Sequence, residues 1–490
     1  MTKLSSFMHS KMLINGVWKD STNGKSIEIK NMFNEEIIGT VPAATIEDAQ
    51  DALDAAQEGA REWNRKPIHE RARILKDFAK KIQENAEEIT QLLSAENGKT
   101  LKYAKIEVDA GARVIDQFAE ESKRLFGQTI PLEIQEGLEN DLLITKREPL
   151  GVIVGIVPFN FPIELFAHKA GAALAAGNAI IVKPPEDDSL SIVKLVELAH
   201  EAGVPGNVLQ VVTGYGSEVG DYLVKSDQIN AISFTGSTPV GKQIGKHGAE
   251  NLIRVFLELS GNDAVIFCED TDIDKAVQDT LEGRLATNGQ VCIATKRILV
   301  EKSRYEEYRT KLVEAVSKIK SGNQLDESTD LGPLINFEAA KKVEKQIQHA
   351  ISQGANLLAG GKRDGAFIEP TILEVTKEMD VSQNDEIFGP VFSIMPFEEF
   401  DEAIEITNNS LYGLNSAIYT NDLNKAIDGA NRIEAGLVSI NGSNTYRPDV
   451  SAFGGYKQSG IGREGINYTL QEFTQIKSIA LRGVNRGRFS

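Results

Sequence analysis

Val152-Ile153-Val154-Gly155-Ile156-Val157 is a run without a polar side chain, and it ends abruptly at Pro158-Phe159-Asn160-Phe161-Pro162. An apolar run that does not alternate with polar residues reads as a strand buried on both faces. Predominantly apolar runs recur at 179–182, 208–212, 231–234 and 252–257, with helix-length stretches such as 191–202 and 239–250 between them. Buried strands alternating with helices imply βαβ crossovers and a parallel sheet covered on both faces. A second series follows Gly261, at 264–267, 297–300, 391–395, 414–419 and 437–440, with long charged helices at 305–320 and 339–352. The sequence therefore predicts two α/β units in succession.

Upstream, Thr45-Ile46-Glu47-Asp48 has the form of a capping box opening an alanine-rich helix. Leu75, Phe78, Ala79 and Ile82 recur on one helical face, and Gly98 stands where a helix stop is expected. The stretch 130–147 has strand composition but no crossover helix, and reads as a hairpin arm. There is no internal repeat and no low-complexity tract.

Composition excludes several classes. The chain has 490 residues, Lys+Arg 53 against Asp+Glu 71, and a formal net charge of −18. That balance argues against a surface built to hold nucleic acid. Its two cysteines, Cys268 and Cys292, cannot make a disulfide framework or a four-thiolate zinc site, so no metal is expected. The most apolar stretch, 151–182, is broken by Pro158, Asn160, Pro162, Glu164, His168 and Lys169, so no membrane span is expected. The first residues, MTKLSSFMHSKM, lack the apolar core of a signal peptide, which points to a cytoplasmic chain with free thiols.

In open parallel sheets, ligands bind beyond the carboxyl ends of the strands, so the residues after each run are the candidate chemistry. The run at 152–157 leads to Asn160 in a double-proline turn. The run at 179–182 ends in Lys183-Pro184-Pro185-Glu186, a cation and an anion at one strand tip. The run at 231–234 passes through Thr235-Gly236-Ser237 into a helix, whose free N–H groups suit a pyrophosphate. The run at 252–257 leads to Glu258-Leu259-Ser260-Gly261. Gly214-Tyr215-Gly216 with Gly220 is one residue out of register for a dinucleotide fingerprint and reads as a structural turn. Cys268 closes an apolar run and reads as an inert core thiol. Cys292 follows the flexible Asn288-Gly289-Gln290-Val291, and as a nucleophile it needs a base or positive potential to form thiolate.

Seven motifs in order resemble the NAD(P)-dependent aldehyde dehydrogenase superfamily over about 13–481. They are Pro158-Phe159-Asn160-Phe161-Pro162, Lys183-Pro184-Pro185-Glu186, Phe234-Thr235-Gly236-Ser237, Glu258-Leu259-Ser260-Gly261, Gly289-Gln290-Val291-Cys292, Glu386-Ile387-Phe388-Gly389-Pro390 and Phe453-Gly454-Gly455. The resemblance implies an α/β fold with a Rossmann-type cofactor domain (1–127 and 148–258), an α/β catalytic domain (259–470) and a small β oligomerisation arm (128–147 and 471–490). It implies a homodimer or homotetramer acting on a small-molecule aldehyde. Ser260 and Ala452 stand where the family more often has glycine and proline.

By the same resemblance Cys292 is the nucleophile, and the Asn160 amide with the Cys292 N–H forms the oxyanion hole. Glu258 activates the water that hydrolyses the thioester, and its presence favours the free acid over an acyl-CoA product. Lys169 matches a position linked to proton relay, or else caps a helix surface. Lys183 and Glu186 face the adenosine ribose, Gly236 and Ser237 the pyrophosphate, and Glu386 the nicotinamide ribose, with Phe388 packed nearby. A carboxylate at Glu186 accepts from ribose hydroxyls and repels a 2′-phosphate, so NAD is preferred, with NADP possible. Arg447, in the loop Asn444-Thr445-Tyr446-Arg447-Pro448, is the candidate for binding a distal anion on a semialdehyde, and its alternative is a surface salt bridge. An anionic substrate implies a locally basic pocket. His168 lies near another substrate position, with a satisfied structural histidine as the alternative. The competing functions are a broad-specificity dehydrogenase of uncharged aldehydes and a crystallin-like structural protein.

Overall fold

The computed structural model describes residues 8–484. Residues 485–490, which the sequence reading placed in the arm, and the first seven residues of the leading segment lie outside the described residues.

Val152–Ile156 is the hub of an eight-stranded sheet. It pairs in parallel with Ala179–Lys183 on one side and with Ala231–Thr235 on the other. Leu209–Val211 extends the first side and Arg254–Glu258 the second. The chain thus runs outward from Val152–Ile156 twice, in opposite directions, and the crevice between it and Ala231–Thr235 is a topological switch point. Every residue of Ala179–Lys183 is buried, which is why these runs carry no polar alternation. Leu252 takes a φ of 53°, so the last of these strands starts at Arg254 rather than at 252.

Four helices, Ile46–Arg65, Ile68–Glu84, Ala86–Asn97 and Leu101–Ser122, precede Val152–Ile156. Thr45 and Asp48 form the expected capping box, and Gly98 ends its helix in the left-handed conformation at φ 87°. Leu75, Phe78, Ala79 and Ile82 are buried in the core around the sheet, each contributing about 1–3 kcal/mol of burial. Met12–Ile14 and Val17–Lys19 form an edge hairpin of the same sheet, turning at Asn15 and Gly16, both with positive φ.

The second sheet has seven strands. Ala264–Phe267 lies between Arg297–Glu301 and Asn415–Tyr419, and all three are parallel. Val391–Phe397 and Leu437–Ile440 extend it on either side, and Asn356–Ala359 is an antiparallel edge. The first of the two charged helices expected here runs over Lys302–Val316, a turn earlier than expected.

One stretch departs from the domain division read in the sequence. Gly460–Ile461 pairs antiparallel with Arg254–Glu258, and Ile466, Leu470 and Phe473 join the core of the first sheet. The apolar stripe of Ile466–Glu472 faces helix Leu101–Ser122, so the chain returns to the first sheet before 470. Leu142–Pro149 pairs antiparallel with Thr129–Pro131 and along its whole length with Thr474–Leu481, as an arm of three strands. Among the described residues, no helix is long and apolar enough to cross a membrane.

Candidate active site

Three cavities lie along the carboxyl ends of the first sheet. One of about 500 Å³ is lined by Lys183, Gly216, Phe234 and Val240. A second, of about 230 Å³, is lined by Gly236, Ser237, Ser260, Glu386 and Phe388. A third, of about 450 Å³, is lined by Phe161, Glu258, Arg447 and Phe453. Asn160, Thr235 and Cys292 line both the second and the third, so they form the wall between the two.

Cys292 is carried on a loop of unusual backbone. Thr287, Asn288 and Gly289 all have positive φ, at 48°, 57° and 80°. Such conformations are costly for non-glycine residues and persist only where surrounding contacts hold them. Asn288 supplies those contacts: its Nδ2 donates to the carbonyls of Gly98 at 2.9 Å and Pro333 at 2.8 Å, and its Oδ1 accepts from Gly332 N at 2.8 Å. At Gly289 a Cβ would stand 2.3 Å from the carbonyl of Gly389, so glycine lets this loop press against the segment carrying Glu386 and Phe388. On the far side, Asn444 Nδ2 donates to Ile293 O at 2.8 Å and ties the nucleophile loop to the Arg447 loop. Burial pushes the Cys292 thiol up to about 12, against the pull of Lys296 and Arg447. Cys268 is fully buried in the core and is likewise pushed up to about 12 by burial.

The turn bearing Asn160 is gripped from beneath. Lys99 Nζ donates to the Asn160 carbonyl at 2.7 Å and forms an ion pair with Glu107. Glu107 Oε1 in turn accepts from Ile163 N at 2.8 Å. Both side chains of this pair are fully buried, so removing either partner would strand a charge in the core. The backbone of the turn is thereby fixed, with Asn160 on the wall of the second and third cavities.

Glu258 ends its strand with Oε2 buried and without a partner among the described residues. Burial holds its carboxyl well above the ordinary value and Glu464 adds to the shift, while Arg447, Lys169 and Arg463 oppose it. Gly454, at φ 148°, lets the chain pass over this carboxylate, since a Cβ there would be 3.0 Å from Glu258 Oε1. Lys169 does not cap a helix surface. It is buried in the π-turn Ala167–Gly171, where Nζ donates to Thr235 Oγ1 at 2.8 Å and Ser233 Oγ at 3.2 Å and lies 3.6 Å from Glu464 Oε2. Glu464 is held down to about 2 despite burial, by His168, Lys169 and Arg447.

Arg447 is not in a surface salt bridge either. It lines the cavity with its guanidinium 4.1 Å over the Phe453 ring, paired with Glu464 and 3.6 Å from Glu164. The cavity as a whole is not basic. Lys102, Arg113 and Arg447 face Glu164, Glu258, Glu282 and Asp449, and Arg113 is itself paired to Asp449 at 2.6 Å. The expectation of a locally basic pocket is therefore corrected. So is His168 as a substrate contact: it is buried edge-on to Phe118 on helix Leu101–Ser122, with Nε2 4.0 Å from Glu164 and no hydrogen-bond partner for either ring nitrogen among the described residues, and it lines none of the three cavities.

Along the other two cavities, Lys183 Nζ lies 3.2 Å from Glu186 Oε1, which also accepts from Gly216 N at 2.5 Å. Burial raises the Glu186 carboxyl, but Lys183 and the Gly216 amide outweigh it and hold the group below its usual value. Gly236 and Ser237 line the second cavity and lead directly into helix Thr238–Glu250, a helix start of the kind that suits a pyrophosphate. Phe388 packs edge-on to Phe159, with ring centroids 6.0 Å apart. Gly216 and Gly220, set aside in the sequence as part of a structural turn, line the first cavity together with Ser217. Sequence reasoning also passed over Glu464, Lys296, Thr235 and the Lys99–Glu107 pair. Only Thr235 carried a sequence signal, as the last residue before the Gly236-Ser237 turn.

Residues 18–479 match the aldehyde dehydrogenase family. The chain is 40% identical over 472 residues to the lactaldehyde dehydrogenase of Methanococcus aeolicus, covering 96% of this chain and 99% of that one. It is 39% identical over 470 residues to the glutarate-semialdehyde dehydrogenase of Pseudomonas putida, covering 96% and 97%. Among solved structures, the NAD+ complex of an aldehyde dehydrogenase from Bacillus cereus has a TM-score of 0.95 and 35% identity, over 98% of this chain and 99% of that one.

Proposed function

This chain belongs to the aldehyde dehydrogenase family, and on that premise we propose that it oxidises a semialdehyde to the carboxylic acid through Cys292. The observation that carries the reading is the shared wall. Cys292 and Asn160 face two cavities at once, one fit for a nicotinamide and one for an aldehyde, and Glu258 lines only the latter.

The cofactor is NAD or NADP, as in relatives of both kinds. The residues present fit it: a carboxylate at Glu186, helix N–H groups after Ser237, and Glu386 with Phe388 beside Cys292. Lys183 and Glu186 would hold the adenosine ribose, Gly236 and Ser237 the pyrophosphate, and Glu386 the nicotinamide ribose. When bound, the nicotinamide supplies the hydride acceptor. The chain's own residues do the rest. Cys292 Sγ attacks the carbonyl carbon, and the oxygen that gains charge is held by the Asn160 amide and the Cys292 N–H. Each such donor is worth about 3–4 kcal/mol. The tetrahedral carbon then gives up its hydride to that acceptor, the carbon–oxygen double bond re-forms, and a thioester is left on Cys292. Glu258 takes a proton from water, the resulting hydroxide attacks the thioester carbon, and the acid leaves as the Cys292 thiolate is released. Lys169, which faces Glu258 from behind and whose charged form burial disfavours, is the group that can relay that proton once it has given up its own.

Glu186 favours NAD, because it would repel a 2′-phosphate, and Lys183 only partly offsets this. Arg447 is the partner for the far carboxylate of the substrate. It lies on the same cavity as Cys292; one guanidinium nitrogen stays paired with Glu464, and the substrate carboxylate would take the place of Glu164, 3.6 Å from the other. Steady-state kcat/KM should then favour succinate semialdehyde over butanal, with NAD ahead of NADP. Arg447→Ala should cut that preference by about 10–100-fold, the worth of one hydrogen-bonded charge pair. Equal loss on both aldehydes would refute the anion contact and leave a broad-specificity enzyme.

The reading extends to a homodimer or homotetramer built through the arm. Its strand Thr474–Leu481 leaves Ile476 63% exposed, together with Ile479 and Leu481, an apolar edge that a monomer would present to water. Light scattering should give a mass of two or four chains, and a monomer mass would contradict the assignment.

A further inference from the structure

His168 is 1% exposed, and neither ring nitrogen has a hydrogen-bond partner among the described residues. Buried polar groups are normally paired, because a hydrogen bond left unmade in the interior is costly. Burial against Phe118 lowers the pKa of the imidazole and keeps it neutral at neutral pH. The group nearest to Nε2 is a carboxylate already engaged elsewhere. Glu164 Oε1 stands 4.0 Å from His168 Nε2 and 3.6 Å from Arg447 Nη1. Glu164 lies in the short helix Pro162–Phe166 and His168 four residues on, in the π-turn Ala167–Gly171, a spacing that puts acid and base on one face.

Glu164, unlike His168, lines the large cavity. There one guanidinium serves two carboxylates, since Arg447 is paired with Glu464 through one nitrogen and faces Glu164 with the other. The other charges around His168 are taken. Asp449, which faces it from the Arg447 loop, is paired to Arg113 at 2.6 Å, and Lys169 lies 3.6 Å from Glu464. Glu464 is ionised from about pH 2, so it already carries its full charge. A substrate carboxylate on Arg447 therefore leaves Glu164 facing His168 as its nearest base. Closing 4.0 Å to a hydrogen bond of about 2.8 Å asks for a movement of about 1 Å.

We propose that His168 is a positioning residue for anionic substrates: as a substrate carboxylate takes Arg447 from Glu164, the imidazole gains a proton and holds Glu164 as an ion pair. The proposal rests on the contact, made above, between Arg447 and the far carboxylate of the substrate. The step is one proton uptake without electron transfer. The proton enters from cavity water through the Glu164 carboxyl, both ring nitrogens then carry hydrogen, and Nε2 donates to Glu164. The sign of the pH dependence follows. Binding of the anion draws in a proton, so it is strongest at low pH and weakens as pH rises through the His168 pKa of the complex. An uncharged aldehyde leaves Glu164 on Arg447 and carries no such dependence.

The ratio of kcat/KM for succinate semialdehyde to kcat/KM for butanal, followed against pH on the full-length enzyme with saturating NAD, isolates this effect. Ionisations of Cys292 and Glu258 act on both aldehydes and cancel in the ratio. In the wild-type enzyme the ratio should fall at least about fivefold from about pH 6.5 to 8, through KM rather than kcat, one proton allowing at most about tenfold per unit. His168→Gln, which stays uncharged, should hold the ratio flat at the wild-type high-pH level. Glu164→Gln should also flatten it, but at or above the wild-type low-pH level, because no carboxylate is displaced. A variant that folds poorly loses activity on both aldehydes and leaves the ratio readable. A wild-type preference that does not vary with pH, or a slope retained in His168→Gln, overturns the role of His168 and leaves the Arg447 contact standing. A wild-type enzyme without preference for succinate semialdehyde at any pH overturns that contact and the proposal with it.

Discussion

Cys292→Ala is expected to lower kcat/KM for aldehyde oxidation by at least about 10⁴-fold, the scale seen when a covalent nucleophile is removed from a site whose other groups remain. What would remain is the Asn160 amide and binding in the cavity, which cannot form the thioester. The fold should tolerate the change. Cys292 sits on the cavity wall rather than in a core, so alanine leaves no enclosed void, and the loop is held by Asn288 and Asn444 rather than by the thiol. Circular dichroism and NAD binding should match the wild-type protein. Cys268→Ala is the contrasting variant: it alters a fully buried thiol in the second sheet's core and should change stability, not turnover.

Glu258→Gln should slow steady-state turnover by about 10²–10⁴-fold, the usual contribution of a positioned general base. The pH dependence follows from the environment of this carboxyl. Burial and Glu464 raise its pKa, so the base form appears only as pH climbs through that raised value. Hydrolysis by the wild-type enzyme should therefore increase with pH, with a midpoint above the ordinary glutamate value of about 4.3. Glutamine cannot ionise, so the variant should lose this rising limb. A variant with the same limb would assign the base to another group, with Glu464 excluded because it is already ionised from about pH 2.

Much of the framework was legible because it is written in short, mostly apolar runs. Strands buried on both faces cannot carry polar alternation, and the residues that follow them, Asn160, Lys183, Gly236 and Glu258, fall at the strand ends where the cavities lie. Short edges were not legible. Asn15-Gly16 is a hairpin signal, but its strands are three residues each, and Gly460–Ile461 has only two. Their assignment depends on a sheet edge already built by distant residues.

The buried charges were illegible for a related reason. Lys99, Lys169, Lys296, Arg447 and Glu464 look like surface residues in a chain that is 25% charged. Each is buried because its partner arrives from elsewhere: Lys99 meets the turn at Asn160, and Lys169 and Arg447 both meet Glu464. The same pairing corrects the picture of a basic pocket, since Arg447 and Arg113 bring their own carboxylates. His168 misled for the opposite reason, being adjacent in sequence to Lys169 but turned toward helix Leu101–Ser122.

The central claim is that Cys292 carries the acyl group and Glu258 releases it. Mixing Glu258→Gln with NAD and succinate semialdehyde, then quenching within seconds for peptide mass spectrometry, tests both parts at once. The account predicts a burst of about one NADH per site, followed by slow turnover, with the acyl mass on the peptide containing Cys292. Wild-type turnover without an adduct, or an adduct on any other residue, would contradict it.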